Sequence, residues 1–116
     1  MIMRKSSYPV QRNEKMRGGD GVAVVESLLT PAQLYDKGRL FAKITLEPGS
    51  SIGYHVHEGE METFFVISGK AEFFEKGETA ILSPGDATLT QSGDGHSIKN
   101  IGETPLELIA LILFNT

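Results

Sequence analysis

The stretch Gly49-Ser50-Ser51-Ile52-Gly53-Tyr54-His55-Val56-His57-Glu58-Gly59-Glu60-Met61-Glu62-Thr63-Phe64-Phe65-Val66-Ile67-Ser68-Gly69 carries two of the three histidines of the chain and lies between two glycine turns. Ile52 to His57 reads as a strand. Alternate residues of a strand point to one face, so His55 and His57 project together, close enough for one cation to take both imidazoles. Tyr54 and Val56 then face the other way. The short polar connection that begins Glu58-Gly59-Glu60 leads into a second apolar run, Thr63 to Ser68, and a hairpin here would bring Glu62 back beside the two histidines. The third histidine stands apart, in Gly95-His96-Ser97.

Working outward, the same alternation of apolar run and turn extends over most of the chain. Thirteen glycines and five prolines separate segments rich in Val, Ile, Leu, Phe and Thr, the punctuation of a many-stranded β fold. Besides the two strands above, candidates are Val22 to Leu29, Arg39 to Leu46, Ala71 to Glu75, Thr79 to Leu82, Ala87 to Gln91, His96 to Ile101 and Leu106 to Phe114. Thr30 to Tyr35 is the one place for a short helix, with Thr30 as cap and Pro31 at its first position. Leu40, Ala42, Ile44 and Leu46 alternate with Phe41, Lys43 and Thr45, which suits a strand with one face in a core. Leu106 to Phe114 is apolar on both faces after Glu107, so one face should meet the core and the other a subunit interface. The expected organisation is an N-terminal extension over 1–20 and a single domain over 21–116.

Composition narrows the function classes. At 116 residues there is room for one core and one site. The net charge is −4, which argues against nucleic acid as a partner. With no cysteine, thiolate metal sites, disulfides and a Cys nucleophile all drop out. Basic residues gather in the first twenty positions (Arg4, Lys5, Arg12, Lys15, Arg17), reading as a solvated tail or an arm that touches an acidic neighbouring subunit. No signal peptide is legible after Met1 to Lys5, and no apolar run approaches the ~20 residues that cross a bilayer, so a cytoplasmic protein without membrane contact is expected.

At this point the residues carry a family resemblance. Gly49, His55, His57, Glu62 and Gly69, with intervals of five, one, four and six residues, resemble the first signature motif of the cupin superfamily without a gap. Gly85, Gly93, His96 and Asn100 resemble the second, with Gln91 standing where the family usually has proline. The fifteen residues between Gly69 and Gly85 are similar to those of compact, oxalate-decarboxylase-like bacterial members. The resemblance implies an all-β fold, a double-stranded β-helix or jelly-roll barrel, with His55, His57, Glu62 and His96 binding one metal inside it. Three neutral imidazoles and one carboxylate leave a divalent ion near +1, and an octahedral ion would keep two positions for water or a chelating ligand. Mn, Fe, Ni, Co, Cu and Zn all suit such a set.

Strand parity also suggests a pocket wall. Phe64 and Val66 share a face with Glu62, and Ile98 and Asn100 share one with His96; Val66 reads as core filling, leaving Phe64, Ile98 and Asn100 as candidates. Glu58, Glu60 and Asp94 read as solvated loop charges, and the segment Met16-Arg17-Gly18-Gly19 as a basic loop tip, with an arginine folded over the pocket mouth as the alternative. No catalytic residue is identified beyond the ligands. Two functions therefore stand open. One is a metal-dependent enzyme that oxidises, decarboxylates or isomerises a small carboxylate or sugar-like anion; the other is a module that binds or senses such a ligand without turnover. A homodimer is expected in either case.

Overall fold

The computed structural model describes residues 1–115. Two antiparallel sheets face each other. The larger has the order β1 (Val10–Glu14), β2 (Val22–Leu29), β3 (Gly38–Leu46), β10 (Leu106–Phe114), β5 (Glu60–Ser68) and β8 (Ala87–Thr90). The smaller has the order β4 (Ser51–Val56), β9 (Gly95–Asn100), β6 (Ala71–Glu75) and β7 (Glu78–Leu82). This is the all-β jelly-roll barrel expected from the sequence. Among the described residues no helix is long and apolar enough to cross a membrane.

The core follows from the period of two. Along β3, Ala42, Ile44 and Leu46 are buried, with Leu40 packed against them. Along β10, paired with β3 on one side and β5 on the other, Leu106, Leu108, Ala110 and Ile112 are buried. Burial of each of these larger aliphatic side chains stabilises the fold by about 1.5–3 kcal/mol. Phe64, Val66, Ile52, Phe73 and Ile98 complete the contact between the sheets. At Gly69, φ is +94° and a Cβ would press into the backbone of Pro105 and Leu106, so the turn after β5 needs glycine for both reasons.

Three local expectations are corrected. The short helix over Thr30 to Tyr35 does not form. Thr30 and Gln33 exchange the reciprocal contacts of a capping box, Gln33 N donating to Thr30 Oγ1 at 3.2 Å and Thr30 N to Gln33 Oε1 at 2.9 Å. Tyr35 and Asp36 then turn left-handed, with φ of 56° and 54°, and the chain reverses into β3 after a single turn instead of propagating. Second, β1 lies within the stretch read as an extension, where it pairs with β2 in the register Val10↔Glu26 to Glu14↔Val22. Its sequence VQRNE shows no apolar alternation because it is an edge strand held by backbone hydrogen bonds, and little of it is buried. Third, β4 and β5 do not form a hairpin, since they belong to different sheets. Glu62 meets the histidines across the barrel.

Candidate metal centre

The register of the smaller sheet places two histidines directly opposite each other, His55 on β4 against His96 on β9. His57 follows just past the end of β4, where its N–H donates to Asp94 O at 3.0 Å and its carbonyl accepts from Gly93 N at 2.6 Å. From the other sheet, the inward residues of β5 are Glu60, Glu62, Phe64 and Val66, and Glu62 reaches the three rings. Its Oε1 lies 2.9 Å from Nε2 of His57, 2.9 Å from Nε2 of His96 and 3.9 Å from Nε2 of His55. One ligand atom from each of the four residues falls within 4.8 Å of all the others. His57, Glu62 and His96 are buried, while His55 is half-buried.

The outer nitrogens decide what the inner ones can do. His55 Nδ1 donates to Gly53 O at 2.8 Å, and His57 Nδ1 donates to Glu60 Oε2 at 2.7 Å. A carbonyl and a carboxylate only accept, so both rings carry their proton on Nδ1 and turn the Nε2 lone pair inward. His96 Nδ1 meets the Thr90 hydroxyl at 2.7 Å. The Nε2 atoms stand 3.2 Å apart for His57 and His96, and 3.2 Å apart for His96 and His55. Inward lone pairs and a carboxylate oxygen at these distances repel one another unless a cation or a proton lies between them. The donor set therefore fits a divalent transition metal. Burial pushes the Glu62 carboxyl up, yet its contacts with the rings of His55, His57 and His96 together outweigh it and hold the group well below the usual carboxylate range. Contact with the Glu62 carboxylate raises the His57 pKa, against burial and with help from Glu60.

Glu60 is the residue that sequence reading placed wrongly. It is the first residue of β5, buried, and the Arg39 guanidinium grips it as a fork, Nε to Oε1 and Nη2 to Oε2 both at 2.8 Å. That fork, with His57 adding to it, holds Glu60 ionised against the effect of burial. The resulting chain Arg39–Glu60–His57 orients one candidate ligand from outside. The missed signal was parity, because Glu60 and Glu62 share a strand face once β5 is extended back to residue 60. Thr90 was missed for another reason: it stands opposite Glu62 in the β5–β8 register, which local sequence does not encode.

A cavity of about 50 Å³ opens onto the cluster, lined by Met16, Arg17, Arg39, Leu40, Ile44, Ile52, His55, His57, Glu62, Phe64 and Ile112. Of the three candidate wall residues only Phe64 is there, and its ring stacks on His96 with centroids 5.1 Å apart and planes at 11°. Ile98 and Asn100 do not line this cavity, a correction with a simple cause. Two residues along a strand carry a side chain about 7 Å onward. Ile98 is thus buried in the core, and Asn100 closes a turn, donating to Leu46 O and Thr104 O at 2.8 and 2.9 Å while accepting from Gly102 N. The Met16-Arg17 segment is no free loop tip, since both residues line the cavity.

Comparison with known proteins agrees with this geometry. The family model described as the Cupin domain matches residues 42–112, which include all four residues of the cluster. The chain belongs to the cupin family. This cupin is 41% identical over 113 residues to a Thermotoga maritima protein named oxalate-binding protein, covering 97% of the present chain and 93% of that one. A crystal structure from Thermotoga maritima, described as a predicted oxalate decarboxylase, superposes with a TM-score of 0.94 at 40% identity, covering 98% of this chain and 99% of the other. The xanthan biosynthesis protein XanB of Xanthomonas campestris is 36% identical over 76 residues, 64% of this chain but only 16% of that much longer protein.

Proposed function

We propose that this cupin binds one divalent transition-metal ion through His55, His57, Glu62 and His96 and uses it to hold a small carboxylate. The metal would supply a Lewis-acidic centre near +1, to which an anionic oxygen donor is attracted. The cavity of about 50 Å³ has room for a few waters or a ligand of few heavy atoms, which favours a two- to four-carbon acid over a sugar ring. The Thermotoga maritima relative named for oxalate binding, similar over nearly its whole length, supports the same ligand class.

One observation favours binding over turnover. Every histidine and carboxylate lining the cavity belongs to the four-residue cluster, and the remaining polar residues there are arginines, whose guanidinium groups donate hydrogen bonds and accept none. Among the described residues that line the cavity, no side chain is left to move a proton to or from a bound acid. The competing reading, decarboxylation, draws on the description given to the similar crystal structure. Protein loaded in turn with Mn, Fe(II), Ni, Co, Cu and Zn should bind oxalate by calorimetry and return it unchanged, as followed by chromatography. Formate or carbon dioxide released at a steady rate from any loaded form would make it an enzyme.

Two further expectations belong to this reading. Glu60→Gln leaves the Arg39 fork without its charge partner and weakens the acceptor for His57 Nδ1. It should lower metal affinity by about 10- to 100-fold in competition with a chelator, and unchanged affinity would remove Glu60 from the site. We also infer a homodimer through the outer face of the larger sheet. There Phe65, Ile67 and Leu89 are exposed beside half-buried Ile109 and Leu111, and pairing across β8, β5 and β10 makes the patch continuous. Light scattering at micromolar concentration should give twice the chain mass; a monomer would refute the interface.

A further inference from the structure

We propose that Arg17 sets the charge selectivity of the cavity, meeting the outer oxygens of a bound carboxylate so that a short dianion is preferred over a monoanion of the same size. The proposal rests on the carboxylate reading above. Apart from the metal cluster and two arginines, the cavity wall is apolar. Arg39 is spent on Glu60, both of whose oxygens it engages, so the pair presents no net charge. Among the described residues Arg17 makes no ion pair and no side-chain hydrogen bond. Among the described residues it is the one cationic group at the cavity whose charge is not already answered.

The backbone beneath Arg17 is built to hold it there. Lys15 and Arg17 both sit in the left-handed region, with φ of 49° and 55°, a conformation that suits glycine and strains arginine. The next two positions are Gly18 and Gly19, so glycine is used freely in this turn and yet not at 17. The turn is fastened on both sides. Lys15 N donates to Gly21 O at 2.8 Å, Ser51 N to Asp20 O at 2.8 Å and Asp20 N to Ser51 Oγ at 2.9 Å. Gly53 completes the attachment, because a Cβ there would collide with the Arg17 carbonyl. The carbonyl of the same Gly53 accepts the proton of His55 Nδ1. One backbone position thus orients a cluster histidine and packs against the backbone of Arg17, which fixes the root of the exposed Arg17 side chain relative to that histidine.

The charge count gives the selectivity. A divalent ion with Glu62 presents about +1, and Arg17 adds a second positive charge at the mouth, so a dianion neutralises the site and a monoanion does not. The test compares metal-loaded wild type, Arg17→Gly and Arg17→Lys by calorimetry with oxalate and with glycolate, a two-carbon monoanion. Glycine suits the backbone at 17, so Arg17→Gly should melt no lower than wild type and hold the same metal content. It should bind oxalate at least about 10-fold more weakly while its glycolate affinity changes by less than about 3-fold, with Arg17→Lys between the two. Oxalate binding that survives Arg17→Gly, or equal losses for both anions, would overturn the role of Arg17 and leave the metal-and-carboxylate reading standing. Wild type that keeps its metal and binds neither anion would overturn both.

Discussion

His96→Ala is expected to lower affinity for divalent transition metals by more than about 100-fold, beyond what loss of an outer-sphere partner costs. His96 is the centre of the cluster, with its Nε2 3.2 Å from each of the other two imidazole nitrogens and 2.9 Å from Glu62. Its removal leaves three donors and opens space beside Phe64 and Phe73, whose rings pack against it. The strands should persist, because β9 is held to β4 and β6 through its backbone. His55→Ala is the gentler companion, since His55 is the least buried of the three rings. In wild type, saturating metal at about 1,000 times the dissociation constant should stabilise the fold by about 4 kcal/mol. At the same metal concentration His96→Ala should keep at most about a third of that gain in a thermal shift, and His55→Ala a share between His96→Ala and wild type. Full stabilisation of both would place the metal elsewhere. Metal retention should also fall as pH drops, because protons compete for the same lone pairs and Glu62 raises the His57 pKa.

Phe64→Ala should cost about 3–5 kcal/mol, seen as a lower denaturant midpoint at unchanged slope. The ring is almost wholly buried on β5 and touches both kinds of interior, packing edge-on against Phe73 at 6.3 Å and stacking on His96. Its loss leaves a cavity that neighbouring strands cannot close without breaking their ladders. Because the ring also holds His96 in orientation, the stabilisation that metal adds should shrink in this variant. A loss below about 1 kcal/mol would show that the sheets can collapse around the missing ring.

Much of the fold was legible because strands and turns are local. The alternation Leu40, Ala42, Ile44, Leu46 placed the inner face of β3, and the H-x-H spacing placed His55 and His57 together, since both depend only on the two-residue period of a strand. The cap at Thr30 was equally legible but misleading. Thr30 does cap the turn, with Gln33 answering it, and the left-handed pair Tyr35 and Asp36 still turns the chain before a helix can grow. At Glu60 the charge suggested a solvated loop, whereas an arginine 21 positions earlier makes burial tolerable.

Through its resemblance to the cupin spacing the amino-acid sequence pointed to four residues of metal-binding chemistry, and by itself it determined strands β2 to β10, the inward face of β3 and the shared face of His55 and His57. It could do so because backbone conformation and side-chain direction are set by near neighbours. Tertiary structure alone decided that Glu62 crosses from the opposite sheet, that Arg39 supports His57 through Glu60, that β1 is an edge strand, and that Met16 and Arg17 lie against the cavity. Those contacts follow from strand register and the closure of two sheets, which are settled by the burial of the whole core at once and leave no trace in any short window of sequence.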